Sequence, residues 1–477
     1  MDLRNKLDMT VEVTKYTVGG RIDTYNFFAD RAPCHGSFPN CKGAYFPEKL
    51  FLKIRHKNFE FVGGDFYLTL GRGLVLAIRK VDEFAIDNSL RGGRISYDDG
   101  TVRAIVAAGF TNINNFDPVQ ETILRDPNDF IFASRLAHRF AQKLNIGAHY
   151  VYMRFAPLED DTGLAPKGYS FDTYTHIAGG SIEVSQLFNK VDFYFEGNGL
   201  SQRIGVSETL GYGFYTNITA YLFPFTLLIE GNYYKNYSLL AELQTLYKKT
   251  SPDDIRTIDN LPVINYINPP TMERDDLDNL GETVNNRGFR VRLDYSLPNR
   301  QTVLHLNYML RVGFAATEGV DPLFIHHLYG GVEHRSPAFS ANVNGGIREG
   351  LNNPDWRVLH GDADLSFHFA KRHSIEVRAI YWWNQKSGNI FHIVDLQLGY
   401  AFSKVFSAAF LYSYYDEDQT AGVLKHYIAG EIKFQLFGYG SIKVHFGSTR
   451  GGLRCISGVC RIFPPFEGFR TELALRF

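Results

Sequence analysis

Along Glu467–Phe477, EGFRTELALRF, apolar and polar positions alternate: Phe469, Thr471, Leu473, Leu475 and Phe477 share one parity, and Arg470, Glu472, Ala474 and Arg476 the other. A strand sends successive side chains to opposite faces, so this segment reads as a strand with one apolar and one charged face. The pattern recurs. In Arg287–Leu297, Phe289, Val291, Leu293 and Tyr295 oppose Gly288, Arg290, Arg292 and Asp294. After the turn Pro298-Asn299-Arg300, Leu304, Leu306, Tyr308 and Leu310 oppose His305, Asn307, Met309 and Arg311. Val191–Glu196, Ile375–Trp383, Ile428–Leu436 and Ile442–Phe446 alternate in the same way.

Two features favour lipid over water on the apolar side. Many of these strands run to roughly 10–15 residues, where soluble strands are usually about 5–6 and a tilted membrane strand needs about 9–11. Tyr295, Tyr308, Trp382, Trp383, Tyr412 and Tyr414 fall near strand ends, where aromatic belts form at membrane interfaces. The expected fold is all-β: a transmembrane antiparallel up-and-down β-barrel of about 22 strands, within a range of roughly 20–24. It is expected as a single domain over 1–477 with no separate plug domain, because nothing before the first strands has the makings of one. A large soluble β-solenoid or propeller is the competing architecture.

Composition agrees. Aromatics make up 15% of the chain, with 28 Tyr and 39 Phe. No apolar run approaches the roughly 18 residues of a membrane helix. Barrel strands hide their membrane character, since lipid-facing and lumen-facing residues average out. A formal net charge of −1 argues against nucleic acid as a partner. The opening MDLRNKLDMT lacks an apolar h-region, which implies a mature form for an exported protein.

The longest break in the alternation is 239–284, which opens as LLAELQTLYKK and becomes acidic and Pro-rich. Connections this long inside a compact domain are usually functional or disordered. Folded inward it would constrict or plug the pore; folded outward it would be a surface loop. Leu261, Val263, Ile264, Tyr266 and Ile267 give the inward form material to pack.

Charge concentrates after Gly71-Arg72-Gly73. Phe66, Leu68 and Leu70, then Leu74, Leu76 and Ile78, share one parity, which aims Arg72 at lipid at a cost of ~2–4 kcal/mol at the bilayer midplane. Either a glycine bulge swings Arg72 inward, or it lies near the interface and snorkels. Arg79, Lys80, Asp82, Glu83, Asp87, Arg91 and Arg94 follow. They read either as a solvated turn or as a salt-bridged constriction in the lumen. The polar faces add lumen candidates: Arg290, Arg292, Asp294, Arg311, Glu376, Arg378, Arg470, Glu472 and Arg476, with Lys53, Arg55, Asp192, Glu196, His305, Glu431, Lys433, Lys443 and His445. Mixed signs predict weak anion preference at most, because opposite charges on neighbouring strands neutralise one another.

Cys34/Cys41 and Cys455/Cys460 form two short-range pairs that suit loop-stapling disulfides in an oxidising compartment; zinc is the alternative. Asp275, Asp276 and Asp278 are weak Ca²⁺ candidates without EF-hand spacing, and an acidic solvated loop is the plainer reading. His326 and His327 are adjacent, so on a strand they point apart. GxSxG, HExxH, GxxxxGK[ST] and GxGxxG are absent, so no enzyme and no cofactor is expected. A Ser–His outer-membrane lipase is the residual enzymatic alternative.

The segments GDFYLTLGRGLVLAIRK (Gly64–Lys80), LRGGRISY (Leu90–Tyr97), INPPTMER (Ile267–Arg274) and GGLRCISGVCRIFPPFEG (Gly451–Gly468) resemble an uncharacterised family of Gram-negative outer-membrane, porin-like barrel proteins. The resemblance implies location rather than reaction. The terminal Phe477 is similar to the signal read by the barrel-assembly machinery. The expected environment is thus the outer membrane of a Gram-negative bacterium, in contact with lipid bilayer and lipopolysaccharide. The expected function is a porin-like channel for passive passage of small polar solutes, narrowed by inward loops. The alternative is a barrel component that sheaths or docks a partner protein, in the lumen or at the rim, in an electron-conduit, secretion or surface-attachment assembly.

Overall fold

A computed structural model describes residues 2–27, 43–78, 80–81, 86–112, 116–117, 122–123, 129–141, 143–155, 173–204, 207–237, 285–313, 323–350, 353–370, 372–386, 388–416, 425–436, 440–450, 452–456, 459–463 and 466–475. Among them, 23 long strands alternate in direction, against an expected count of about 22. The chain divides into two compact units. One comprises Met1–Thr216, Asn232–Asn285 and Arg454–Arg461; the other Asn217–Gly231, Asn286–Leu453 and Ile462–Phe477.

The first unit is a meander. Asp2–Val13 pairs with Tyr16–Phe27, which pairs with Gly43–His56, then Phe59–Phe66, Ser89–Asp98, Val102–Asn112, Phe130–Phe140, Leu144–Phe155, Thr173–Leu187 and Val191–Ile204, each antiparallel to the last. Short turns join every second pair. Thr14, Lys57 and Ala141 adopt positive φ there. Glycines meet across the centre of the sheet, with Gly63 opposite Gly93, Gly64 opposite Gly92, and Gly92 opposite Gly109. At Gly64 the backbone has φ +94°, and a Cβ would lie 2.1 Å from the Leu50 carbonyl oxygen, so only glycine fits.

The second unit repeats the plan. From Asn286–Ser296 through Thr302–Gly313, Leu323–Arg335, Phe339–Gly350, Asn353–Phe369, His373–Lys386, Asn389–Phe402, Phe406–Tyr415, His426–Leu436 and Gly440–Thr449 to Phe466–Leu475, each strand pairs with the next.

In both units burial is inverted relative to a soluble sheet. Leu50 is 67% exposed while its neighbour Lys49 is buried; Phe469 is 70% exposed while Arg290 is 1% exposed. Neighbouring residues split the same way, Leu306 exposed beside buried Asn307, and Leu328 beside buried His327. Each exposed Leu or Phe would forgo about 1.5–3 kcal/mol if its surroundings were water. Such rows on strand after strand are stable only against an apolar solvent.

The alternation over Phe66–Ile78 does not extend a spanning strand. The strand Phe59–Phe66 ends, and the chain turns over an apolar patch on the buried face of the first unit as a hairpin of Leu68–Leu70 and Leu76–Ile78. Gly71 and Gly73, at φ +59° and +88°, close its turn. Arg72 therefore never faces lipid. The core sits here: Leu68, Leu70, Leu74, Val75, Leu76 and Ile78 are buried against Ile131, Val151, Met153, Ile177, Tyr215 and Tyr234 from the surrounding strands. A second small strand pair, Lys80–Val81 with Ile86–Asp87, leads back to the sheet.

Candidate functional site

The hairpin is held at its tip and at its base by buried polar groups. At the tip, the Arg72 guanidinium lies 4.1 Å from the centre of the Tyr194 ring. The Arg72 backbone N–H donates to Glu196 Oε2 at 3.3 Å. Glu196 also accepts from the Tyr194 hydroxyl and from Asn198 Nδ2 at 3.2 Å. Asn198 Oδ1 is 2.5 Å from His149 Nε2. Tyr237 donates to the Leu74 carbonyl at 3.0 Å. Strand alternation explains the convergence: Tyr194, Glu196 and Asn198 are i, i+2, i+4 on one strand and share a face.

At the base, Asp87 is surrounded by donors. Its carboxylate accepts from Arg21 Nη1 at 2.5 Å, Lys49 Nζ at 2.7 Å and the Tyr67 hydroxyl at 2.5 Å. Lys49 also reaches the Asp87 carbonyl at 3.0 Å and Ser89 Oγ at 2.9 Å. Burial opposes ionisation of Asp87. The Lys49 charge, hydrogen bonds from Lys49 and Tyr67, and the Arg21 charge outweigh it and hold the carboxyl below its ordinary range. For Tyr67, burial and then the Asp87 charge push the phenol well above its usual value.

Asp65 forms a second node beside the first. It accepts from Asn112 Nδ2 at 2.6 Å, the Leu50 N–H at 2.7 Å, and Arg91 Nε and Nη2 at 3.3 Å each. Arg91 and Asn112 also donate to the Glu48 carbonyl, at 3.0 and 2.8 Å. Arg94 spans to Glu60 at 2.5 Å and to the Tyr67 carbonyl at 3.0 Å; Lys53 and Arg55 share that carboxylate at 2.8 and 3.0 Å.

In the second unit the polar face carries a separate network. Arg290 Nη1 lies 3.2 Å from Glu230, its Nε donates to Asn307 at 2.6 Å, and its Nη2 to the Tyr329 hydroxyl at 3.3 Å. His327 and His360 meet at 2.7 Å through their Nε2 atoms, and His305 lies 2.7 Å from Asn344. His326 turns the other way, 3.2 Å from Glu349. Arg311 is buried on the Arg290 face, and Arg292 pairs with Asp294 at 2.8 Å on its own strand. Glu376 and Arg378 line a cavity of about 400 Å³ with Glu333, Asp364 and Asn342, and Arg378 is 3.5 Å from Asp364. Lys443 pairs with Glu431 at 2.8 Å, and Arg470 lies 4.8 Å from the Phe466 ring centre.

Of the residues singled out in the sequence, Arg72, Asp87, Arg91 and Arg94 thus gather on the hairpin and its supports, and Lys80 is exposed beside them. Arg79, Asp82, Glu83, Cys34, Cys41, Asp275, Asp276, Asp278, Arg476, Phe477 and the whole of 239–284 lie outside the described residues. Glu472, Cys455 and Cys460 are placed on strands, Cys455 on Gly452–Ile456 and Cys460 on Val459–Phe463, with their side chains outside the described set. Among the described residues no three His, Cys, Asp or Glu side chains converge on a metal-sized space.

The sequence reading passed over Arg21, Lys49, Asp65, Tyr67 and Glu230. A signal for two of them was present. Gly19-Gly20 precedes Arg21, Gly63-Gly64 precedes Asp65, and Gly92-Gly93 precedes Arg94. Each doublet delivers a charge to the base of the hairpin.

The pattern of a family described as "Family of unknown function (DUF6029)" matches residues 1–187 and 343–477. No curated protein matches the chain. Among solved structures, a doubly substituted form of the ferric enterobactin receptor PfeA from Pseudomonas aeruginosa aligns at 9% identity and TM-score 0.51, covering 100% of this chain and 80% of that one. A singly substituted form of the same receptor aligns at 9% identity and TM-score 0.50, covering 100% and 78%. At such identity the likeness speaks to fold alone. The fold is that of transmembrane antiparallel outer-membrane β-barrels.

Proposed function

The chain belongs to the family of unknown function DUF6029, and from that premise we propose an outer-membrane conduit for small polar solutes that its own hairpin, 68–78, closes. It works in the outer membrane of a Gram-negative bacterium, bounded by phospholipid and lipopolysaccharide, delivered there by the barrel-assembly machinery, without catalysis, cofactor or nucleic acid. One observation carries this reading. An apolar hairpin is seated over the apolar patch of Ile131, Val151, Met153 and Ile177 on the face of the first unit that also carries its buried polar groups, and charged residues secure it at both ends. A static filling would need only apolar packing. Two polar attachments suit a segment that leaves and returns as a unit.

Single-channel recording in planar bilayers tests it. The intact protein is expected to show rare, small openings. A variant with 68–78 replaced by a Gly-Ser linker is expected to stay open with several-fold larger conductance. Insertion of both forms without conductance in either overturns the proposal. The second reading, a barrel that docks or sheaths a partner protein, gains support from the same filled face, since such a component needs no passage. Co-purification of a stoichiometric partner at native expression, with no conductance from the linker variant, would favour it.

A further inference from the structure

The short turns of the first unit are basic and aromatic at once. Lys15, Lys57, Lys143 and Lys190 occupy four of the five, and all four are exposed. Each has an exposed aromatic within three residues: Tyr16, Phe59, Phe140 and Phe188, the last 83% exposed. The fifth turn holds Asp99, but its carboxylate is engaged by the backbone N–H groups of Thr101 and Val102 at 2.8 and 2.7 Å and by the Tyr97 hydroxyl at 2.9 Å. Some short turns of the second unit are basic as well. Arg300 lies 5.7 Å from the ring centre of exposed Phe223, Arg372 follows exposed Phe369, and Lys404 precedes exposed Val405. Among the connections at the opposite strand ends, 238–284 carries nine acidic and four basic residues.

We propose that the short-turn end binds anionic phospholipid headgroups. Two independent features select that occupant. The cations answer a negative surface potential, which favours Lys and Arg within a Debye length of the headgroups. The aromatic beside each cation belongs at the boundary between acyl chains and headgroups, a place an acidic soluble protein does not supply. Short turns of outer-membrane barrels lie on the periplasmic side, so the lipids are those of the inner leaflet. The inference rests on the membrane fold and not on the conduit reading, and a closed or non-conducting barrel would bind lipid equally.

The test is lipid partition around the full chain in nanodiscs of phosphatidylcholine doped with phosphatidylglycerol. The wild-type protein is expected to enrich phosphatidylglycerol about fivefold in its annulus, the effect of one well-placed cation at an anionic surface. Enrichment should vanish at 1 M salt, a measurement that needs no variant. Lys15→Gln, Lys57→Gln, Lys143→Gln and Lys190→Gln combined should bring it to parity, while D99N leaves it unchanged. Equal partition in the wild type overturns the proposal, as does enrichment that survives both high salt and the four substitutions. Salt-sensitive binding of an acidic polypeptide without lipid enrichment also overturns it.

Discussion

Arg72 stacks on Tyr194, its guanidinium 4.1 Å from the ring centre, across 122 residues of chain. An Arg that strand parity assigns to lipid is instead the tip of an inward hairpin, in a cation–π contact of a kind worth about 0.5–2 kcal/mol. Tyr194→Leu should keep the apolar packing and lose that contact. Faster hydrogen exchange across 68–78 with unchanged exchange in the flanking strands is the expected readout.

Gly71 sits over the Glu196 carboxylate at φ +59°, where a Cβ would come within 2.5 Å of Oε2. Gly71→Ala combines a clash with an unfavourable backbone, and should cost more than about 1 kcal/mol. The expected outcome is protease cleavage within 68–78 and longer open times in bilayers. A variant indistinguishable from wild type in both would show that the tip contact is dispensable.

Asp87 is the point where the base network closes. Asp87→Asn removes the carboxylate that buried Arg21 and Lys49 share, a change of a kind that typically costs about 3–5 kcal/mol. The midpoint of urea unfolding, followed by the loss of heat-modifiable gel mobility, should fall. Asp87→Asn with Lys49→Met should recover part of the loss, because it removes one of the two cations that shared the Asp87 carboxylate.

The same carboxylate sets a pH response. Its folded pKa lies below the unfolded value, with burial opposing the shift and Lys49 prevailing. The stabilisation is therefore complete above the ordinary carboxylate range, near about 3.9, and fades as pH falls through the depressed folded value. Hairpin exchange rates should be flat across neutral and mildly acidic pH, apart from the intrinsic chemistry, and rise only in strong acid. Loosening between pH 6 and 5 would assign the response to another group.

In the second unit, Glu230 and Arg290 form a buried pair at 3.2 Å. Arg290→Met alone takes the Arg290 charge away from buried Glu230 and should cost about 3–5 kcal/mol, whereas Glu230→Gln with Arg290→Met should cost much less than the two single changes summed. A double-mutant cycle on unfolding midpoints measures the coupling.

Local period carried much of the fold. From residue 89 onward the alternation places the long strands close to where they lie, since a lipid-facing row and a polar row recur every two residues wherever the chain spans. It failed in two places. It does not mark the break between Asp2–Val13 and Tyr16–Phe27, because Thr14-Lys15 lacks the Gly, Pro or Asn that usually announces a turn. The segment 66–78 read as a spanning strand, because a hairpin buried in an apolar interior keeps the same alternation as one facing lipid.

The candidate site was legible only in fragments. Asp87, Arg91 and Arg94 stood out as dense local charge, but their partners Arg21, Lys49 and Asp65 come from three other strands, up to 66 residues away. The amino-acid order determined the period, and with it the all-β class, the apolar face and the membrane. Only the tertiary structure decided that one alternating segment leaves the sheet. That choice depends on Glu196 and Tyr194 waiting at the tip and on Arg21, Lys49 and Tyr67 donating at the base, contacts whose energy exists only once distant strands are in register.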